Sequence, residues 1–143
     1  MSRLYRSAYV ASALVLAPLA AGLTNTESAS QSREWRAPAR AAATTNPVAA
    51  EEKSLAVGKG IYLKECASCH GDAGKGDGPD AANLSRRPAD FAAPAVRQET
   101  DGELFWKISE GRKPMPRFAR MLSAEERWNL VNYIRSISPH DKQ

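Results

Sequence analysis

A chain of 143 residues holds one domain with extensions rather than two full cores. Its 43% hydrophobic and 25% charged residues are the proportions of a soluble globular protein. The formal charge of +4 falls to +2 without Arg3 and Arg6, and no basic stripe is interleaved with aromatics, so nothing supports nucleic acid as a partner.

Residues 1–23 read as a targeting segment. Arg3 and Arg6 form a positive start, and an uncharged stretch from Ser7 to Leu23 carries the apolar core Val10–Ala17. Small residues then offer a cleavage point after Gly22, with Ala20 three positions from the cut, and later points near Ser28 or Ser30. The alternative is an uncleaved anchor, since seventeen uncharged residues sit at the lower edge of what crosses a bilayer. Either outcome implies export to the periplasm, with membrane association if the segment is retained.

Residues 24–50 are rich in Ala, Ser, Thr, Asn and Pro and lack apolar periodicity, the composition of a flexible tether. Trp35, its one large apolar residue, reads as incidental. Residues 51–138 carry the folded domain, and 139–143 form a polar tail.

The spacing predicts three main helices. The first ends at the cysteines and presents Leu55, Gly58, Ile61 and Tyr62 on one face. The second starts at the capping box Thr100-Asp-Gly-Glu103, presents Leu104, Phe105 and Ile108, and stops at Gly111. The third starts at a second capping box, Ser123-Ala-Glu-Glu126, and runs to about Ser138 with Leu130, Tyr133, Ile134 and Ile137 on one side. No strand pattern competes, so the fold class is all-α.

Thirty residues separate Cys69 from Thr100, among them Gly71, Gly74, Gly76, Gly78, Pro79, Pro88 and Pro94. A connection this long without structure of its own is unusual in a small domain unless it wraps something other than protein. A domain of this size has a marginal core and gains from a prosthetic group at its centre.

The chemistry lies in Cys66-Ala-Ser-Cys69-His70, which holds both cysteines of the chain. Two thiols three residues apart on one helical turn can add across the two vinyl groups of a haem, with the adjacent imidazole held beneath the iron. A thioredoxin-type pair would need a preceding strand and a βα context. A structural zinc site needs four Cys or His ligands, and the chain has two of each in all. A plain disulfide would leave His70 and the long loop without a role.

A second axial ligand must come from Met115, Met121 or His140. Met115 lies in Lys113-Pro114-Met115-Pro116, where two prolines stiffen a non-helical loop suited to holding a ligand. Met121 lies two residues before the Ser123 cap and reads as a hydrophobic staple or core filler. His140 follows Pro139 in the polar tail and reads as solvated. A thioether favours ferrous iron, so His/Met ligation implies a higher potential than His/His.

With these residues in view, the chain resembles the class I bacterial cytochromes c over residues 54–138. The matching stretches are Gly58–Tyr62, Cys66–Gly71, Gly74–Pro79, Asp101–Trp106, Met115-Pro116 and Trp128–Arg135. The resemblance implies first and last helices crossing near-perpendicularly, with Gly58 allowing close approach to the Tyr133 ring. It also implies that the Pro79 carbonyl accepts the His70 Nδ1–H, and that Met115 is the distal ligand. Arg and Trp side chains pair with the haem propionates in some members, and Arg86, Arg87, Arg97 and Trp106 are the candidates here.

One covalent haem c with both axial positions filled implies a single-electron carrier or an electron-transfer subunit of a redox complex, not an enzyme in its own right. The alternatives are a haem protein with a labile sixth ligand, doing peroxidase or gas-binding chemistry, and a purely structural exported domain, against which the haem motif counts. Arg112, Lys113, Arg117 and Arg120 crowd around Met115, while Asp72, Asp77 and Asp80 lie in the glycine-rich loop. This is either a solvated surface or a dipolar one whose basic side meets an acidic redox partner.

Overall fold

Local chemistry fixes where two helices begin. At the head of one, Thr100 Oγ1 accepts from the Glu103 N–H at 3.2 Å and the Glu103 carboxylate accepts from the Thr100 N–H at 2.7 Å. Ser123 and Glu126 repeat the exchange at the same two distances. Each box satisfies two N–H groups that a helix start leaves without a partner.

The computed structural model describes residues 35–138, and within them the elements are helices α1 (Ala39–Ala42), α2 (Glu52–Glu65), α3 (Ala67–His70), α4 (Pro94–Arg97), α5 (Asp101–Glu110) and α6 (Ala124–Ile137). Single 3-10 turns sit at Ala81–Asn83 and Phe118–Arg120. No strand occurs among the described residues, so the chain is all-α. None of their helices is long and apolar enough to cross a membrane. The targeting segment 1–23, residues 24–34 and the tail 139–143 lie outside the described residues.

The frame is the pair α2 and α6. Tyr62 from α2 and Leu130 and Val131 from α6 are fully buried, and Leu104 and Ile108 of α5 complete the layer with Phe91, Phe118, Trp128 and Ile134. A Cβ at Gly58 would collide with the Asn129 carbonyl and stand 2.7 Å from the Tyr133 Cβ. The expected close approach is therefore present, but its tightest contact is with the α6 backbone rather than the Tyr133 ring. Tyr62 closes the same region: its hydroxyl donates to the Gly71 carbonyl, and its ring packs 5.3 Å from that of Tyr133.

The tether expected over 24–50 does not hold for residues 35–50, which pack onto the domain. Ala41 is buried, and its carbonyl lies so close to Gly102 of α5 that no side chain fits there. Asn46 Nδ2 donates to the Asn132 side-chain oxygen at 2.8 Å and to the Trp128 carbonyl at 3.3 Å. Asn132 in turn donates to the Val48 carbonyl at 3.0 Å and the Ser54 hydroxyl at 2.9 Å. Trp35 is not incidental either: its ring centroid is 6.3 Å from that of Trp106, with Lys107 Nζ 5.5 Å from the Trp35 centroid. Polar bonds and one glycine hold this strap, so it leaves no apolar period to read.

Candidate functional site

The last turn of α2 delivers Cys66, whose N–H donates to the Tyr62 carbonyl at 2.9 Å. Its φ of −124° breaks the helix, and α3 restarts as a single turn. The N–H groups of Cys69 and His70 both donate to the Cys66 carbonyl, at 3.1 and 2.8 Å. This turn brings Cys66, Cys69 and His70 together as the spacing predicts. Both cysteines are free thiols, Cys66 buried and Cys69 half-buried. Burial, with Glu65 adjacent, pushes the Cys66 thiol up to about 12. Burial also lowers the pKa of His70, and its bond to a carbonyl opposes that shift only in part, so the imidazole is neutral at pH 7.

That carbonyl belongs to Ala89, 3.2 Å from His70 Nδ1, and not to Pro79. The reason lies in the glycine-rich loop. Gly78 N–H donates to the Cys69 carbonyl at 3.2 Å and Asp80 N–H to the Ser68 carbonyl at 2.9 Å. These bonds draw the Gly78–Asp80 turn onto the α3 backbone. Phe91 N–H meanwhile donates to the Gly74 carbonyl at 2.8 Å and brings the next stretch of loop to the imidazole. The Phe91 ring stacks on His70 at 4.7 Å and 22°.

Met115 is reached through a tight turn in which its N–H donates to the Arg112 carbonyl at 2.9 Å. Pro114, joined to Lys113 by a cis bond, and Pro116 flank it, and the Pro116 carbonyl sits against Gly111 where a Cβ would clash. Met115 is half-buried and packs on the apolar cluster that includes Cys66, Leu104, Ile108 and Phe118. Phe105 adds a face to that cluster, stacked on Trp128 at 3.9 Å and 14°.

Met121 is neither staple nor core filler, being 58% exposed. The 3-10 turn at Phe118–Arg120 points Phe118 inward and rotates the inward position after it to Leu122, which packs on the core. Leu122 directly precedes the Ser123 cap, where a staple belongs. His140 lies outside the described residues. Of the propionate candidates, Arg86 and Arg87 are exposed and Arg97 is half-buried, while Trp106 is half-buried beside Trp35.

These donors suit a haem. Two cysteines outside any disulfide and an imidazole with Nδ1 engaged, leaving Nε2 open, share one turn, and the buried cysteine belongs to the apolar cluster on which the Met115 thioether packs. Among the described residues no group of three or more His, Cys, Asp or Glu side chains could hold a metal ion on its own. Sequence reasoning missed Ala89 and Phe91. Phe91 had a signal, as the one aromatic in the thirty residues between Cys69 and Thr100. Ala89 acts through its backbone and had none.

The chain is similar to a cytochrome bc1 complex cytochrome c subunit of Corynebacterium diphtheriae, at 29% identity over 83 residues that cover 57% of this chain and 27% of that protein. Among solved structures it is similar to a chain of the reducing HAO-like protein complex of Kuenenia stuttgartiensis, with 32% identity and a TM-score of 0.58 over 65% of this chain and 47% of that one. It thus spans about a quarter of the curated relative and about half of the structural one. The cytochrome c family model matches residues 55–138, from the first turn of α2 to the end of α6. A match across all the helices that build the site shows that this chain belongs to the cytochrome c family and is a haem protein of electron transport.

Proposed function

We propose that the chain holds one haem c through thioethers to Cys66 and Cys69, with His70 and Met115 as axial ligands, and passes single electrons between redox proteins in the periplasm. What carries this reading is the single turn presenting two cysteines outside any disulfide and an Nδ1-anchored imidazole, with Met115 between two prolines and packed on the cluster that includes Cys66. The haem would supply a one-electron iron couple. The chain's residues fix the imidazole and offer the thioether beside a buried apolar cluster.

With both axial positions filled, no site remains for substrate, which makes the protein a carrier or an electron-transfer subunit rather than an enzyme. The reduced protein should therefore keep its absorption spectrum under carbon monoxide. A prompt shift of the Soret band would favour the labile-ligand reading instead.

The similar proteins of known assembly belong to multi-protein complexes, which supports protein partners. Arg112, Lys113, Arg117 and Arg120 flank Met115 in the chain, and exposed Met121 follows them. Arg117 pairs with Glu110, and an apolar residue beside a basic group is the composition of an interface core with its rim. We assign this surface to an acidic redox partner. Reduction by that partner should slow as salt rises, because screening weakens steering. Charge reversal at Lys113 should lower the association rate more than the electron-transfer rate within the complex. A salt-independent rate would leave only a solvated surface.

A further inference from the structure

The solvent face of α2 carries an unfilled notch. Gly60 lies in the interior of that helix, where glycine is less favourable than any residue but proline. Gly58 lacks a side chain because α6 presses on it, but a Cβ at Gly60 would meet nothing within 4 Å. On a helix surface the neighbours of Gly60 stand three and four residues away, and here they are Ala56, Val57, Leu63 and Lys64, all exposed. Among the described residues three large apolar side chains are exposed, and two of them are this Val57 and Leu63. They wall a gap whose floor is helix backbone. The rim is basic: Lys53, Lys59 and Lys64 are exposed on α2, against Glu52 as its one exposed acid. Lys64 reaches Glu65 at 3.3 Å, but its side chain is 82% exposed, so the pair gives way readily to another carboxylate.

We infer that this face docks an α-helix of an acidic partner protein, with one apolar side chain of the partner seated over Gly60 between Val57 and Leu63. An apolar centre within a charged rim is the composition of a docking patch, and a missing side chain lets a second helix approach closely. The three lysines select carboxylates beside that apolar residue. They disfavour a second copy of this chain, whose own α2 brings the same lysines. The face lies on a different element from the basic residues beside Met115 and does not depend on which groups ligate the iron.

The test is a nuclear magnetic resonance titration of the full haem-loaded chain with two synthetic helical peptides. One has a Leu/Ala seam flanked by Glu, the other the same seam flanked by Lys. The acidic peptide should shift the amide signals of residues 56–64 and lose affinity as salt rises. Gly60→Leu fills the notch and should weaken its binding about tenfold or more. Gly60→Ala should raise the thermal unfolding midpoint, because a methyl there meets nothing, and still weaken binding. Leu63→Ser, a change at an exposed side chain, should weaken binding too and serves if Gly60→Leu does not fold. Lys113→Glu should leave the titration at its wild-type value. Equal affinity for the two peptides overturns the inference, as do shifts confined to residues 112–120 or a Gly60→Leu chain that binds as tightly as wild type. Sedimentation reads the other occupant: a dimer of the chain alone that Gly60→Leu dissociates would give the face to a second copy and overturn the acidic partner.

Discussion

Cys66→Ala/Cys69→Ala should yield a chain with no covalent haem and little of its helical signal. The chain has no other cysteines, so no thioether can form at a substitute position. The structural loss follows from where these residues lie. Cys66 is part of the buried cluster, and the loop that reaches Phe91 is organised by bonds to the α3 backbone. In a domain this small, binding of the prosthetic group contributes directly to folding free energy. Haem staining after denaturing electrophoresis and far-ultraviolet circular dichroism measure the two effects. Haem that stays with the double variant through electrophoresis would end the assignment of these cysteines.

Met115→Ala is the second large effect, and it works in the opposite way. Attachment should survive, because Cys66, Cys69 and His70 are untouched. With Met115 as the proposed ligand, the midpoint potential should fall, since the thioether that favours ferrous iron is gone. Carbon monoxide should bind the reduced variant, and weak peroxidase activity should appear at the opened position. Met115 is half-buried, so its packing loss should lie at or below the ~2 kcal/mol that marks the low end for a fully buried methionine. Met121→Ala should do none of this and should change stability by no more than about 0.5 kcal/mol, as an exposed side chain does. The near-infrared methionine–ferric band separates the two. Its survival in Met115→Ala with loss in Met121→Ala would reverse the ligand choice.

What the sequence showed clearly was whatever has a local cause. Thr100 with Glu103 and Ser123 with Glu126 set helix starts through contacts three residues apart, and the structure has both. The thiols and imidazole of one turn were legible for the same reason. The close approach at Gly58 involves Asn129 and Tyr133, residues distant in sequence, and came from the family resemblance instead. The failures have a shared origin in the backbone. Every residue owns a carbonyl, so nothing in the side-chain pattern tells Ala89 from Pro79 as the acceptor for His70. Met121 and Leu122 were exchanged because a 3-10 turn advances more per residue than an α-helix and moves the inward position. The strap escaped because a buried Asn132 and a fitted Gly102 hold it, neither of which produces a hydrophobic period.

That docked strap governs reach. As free coil, residues 35–50 would add about 20–24 Å of root-mean-square slack between the domain and whatever precedes it. Packed down, they add none, and the chain leaves the domain at Trp35 beside Trp106 and Lys107 instead of at the head of α2. If the N-terminal segment stays in a membrane, the domain sweeps a smaller volume around its anchor. The local concentration it presents to a neighbouring redox protein is then higher, because effective concentration falls roughly as the −3/2 power of leash length. In that anchored case Asn132 and Gly102, which hold the strap down, would set how often the domain meets its partners.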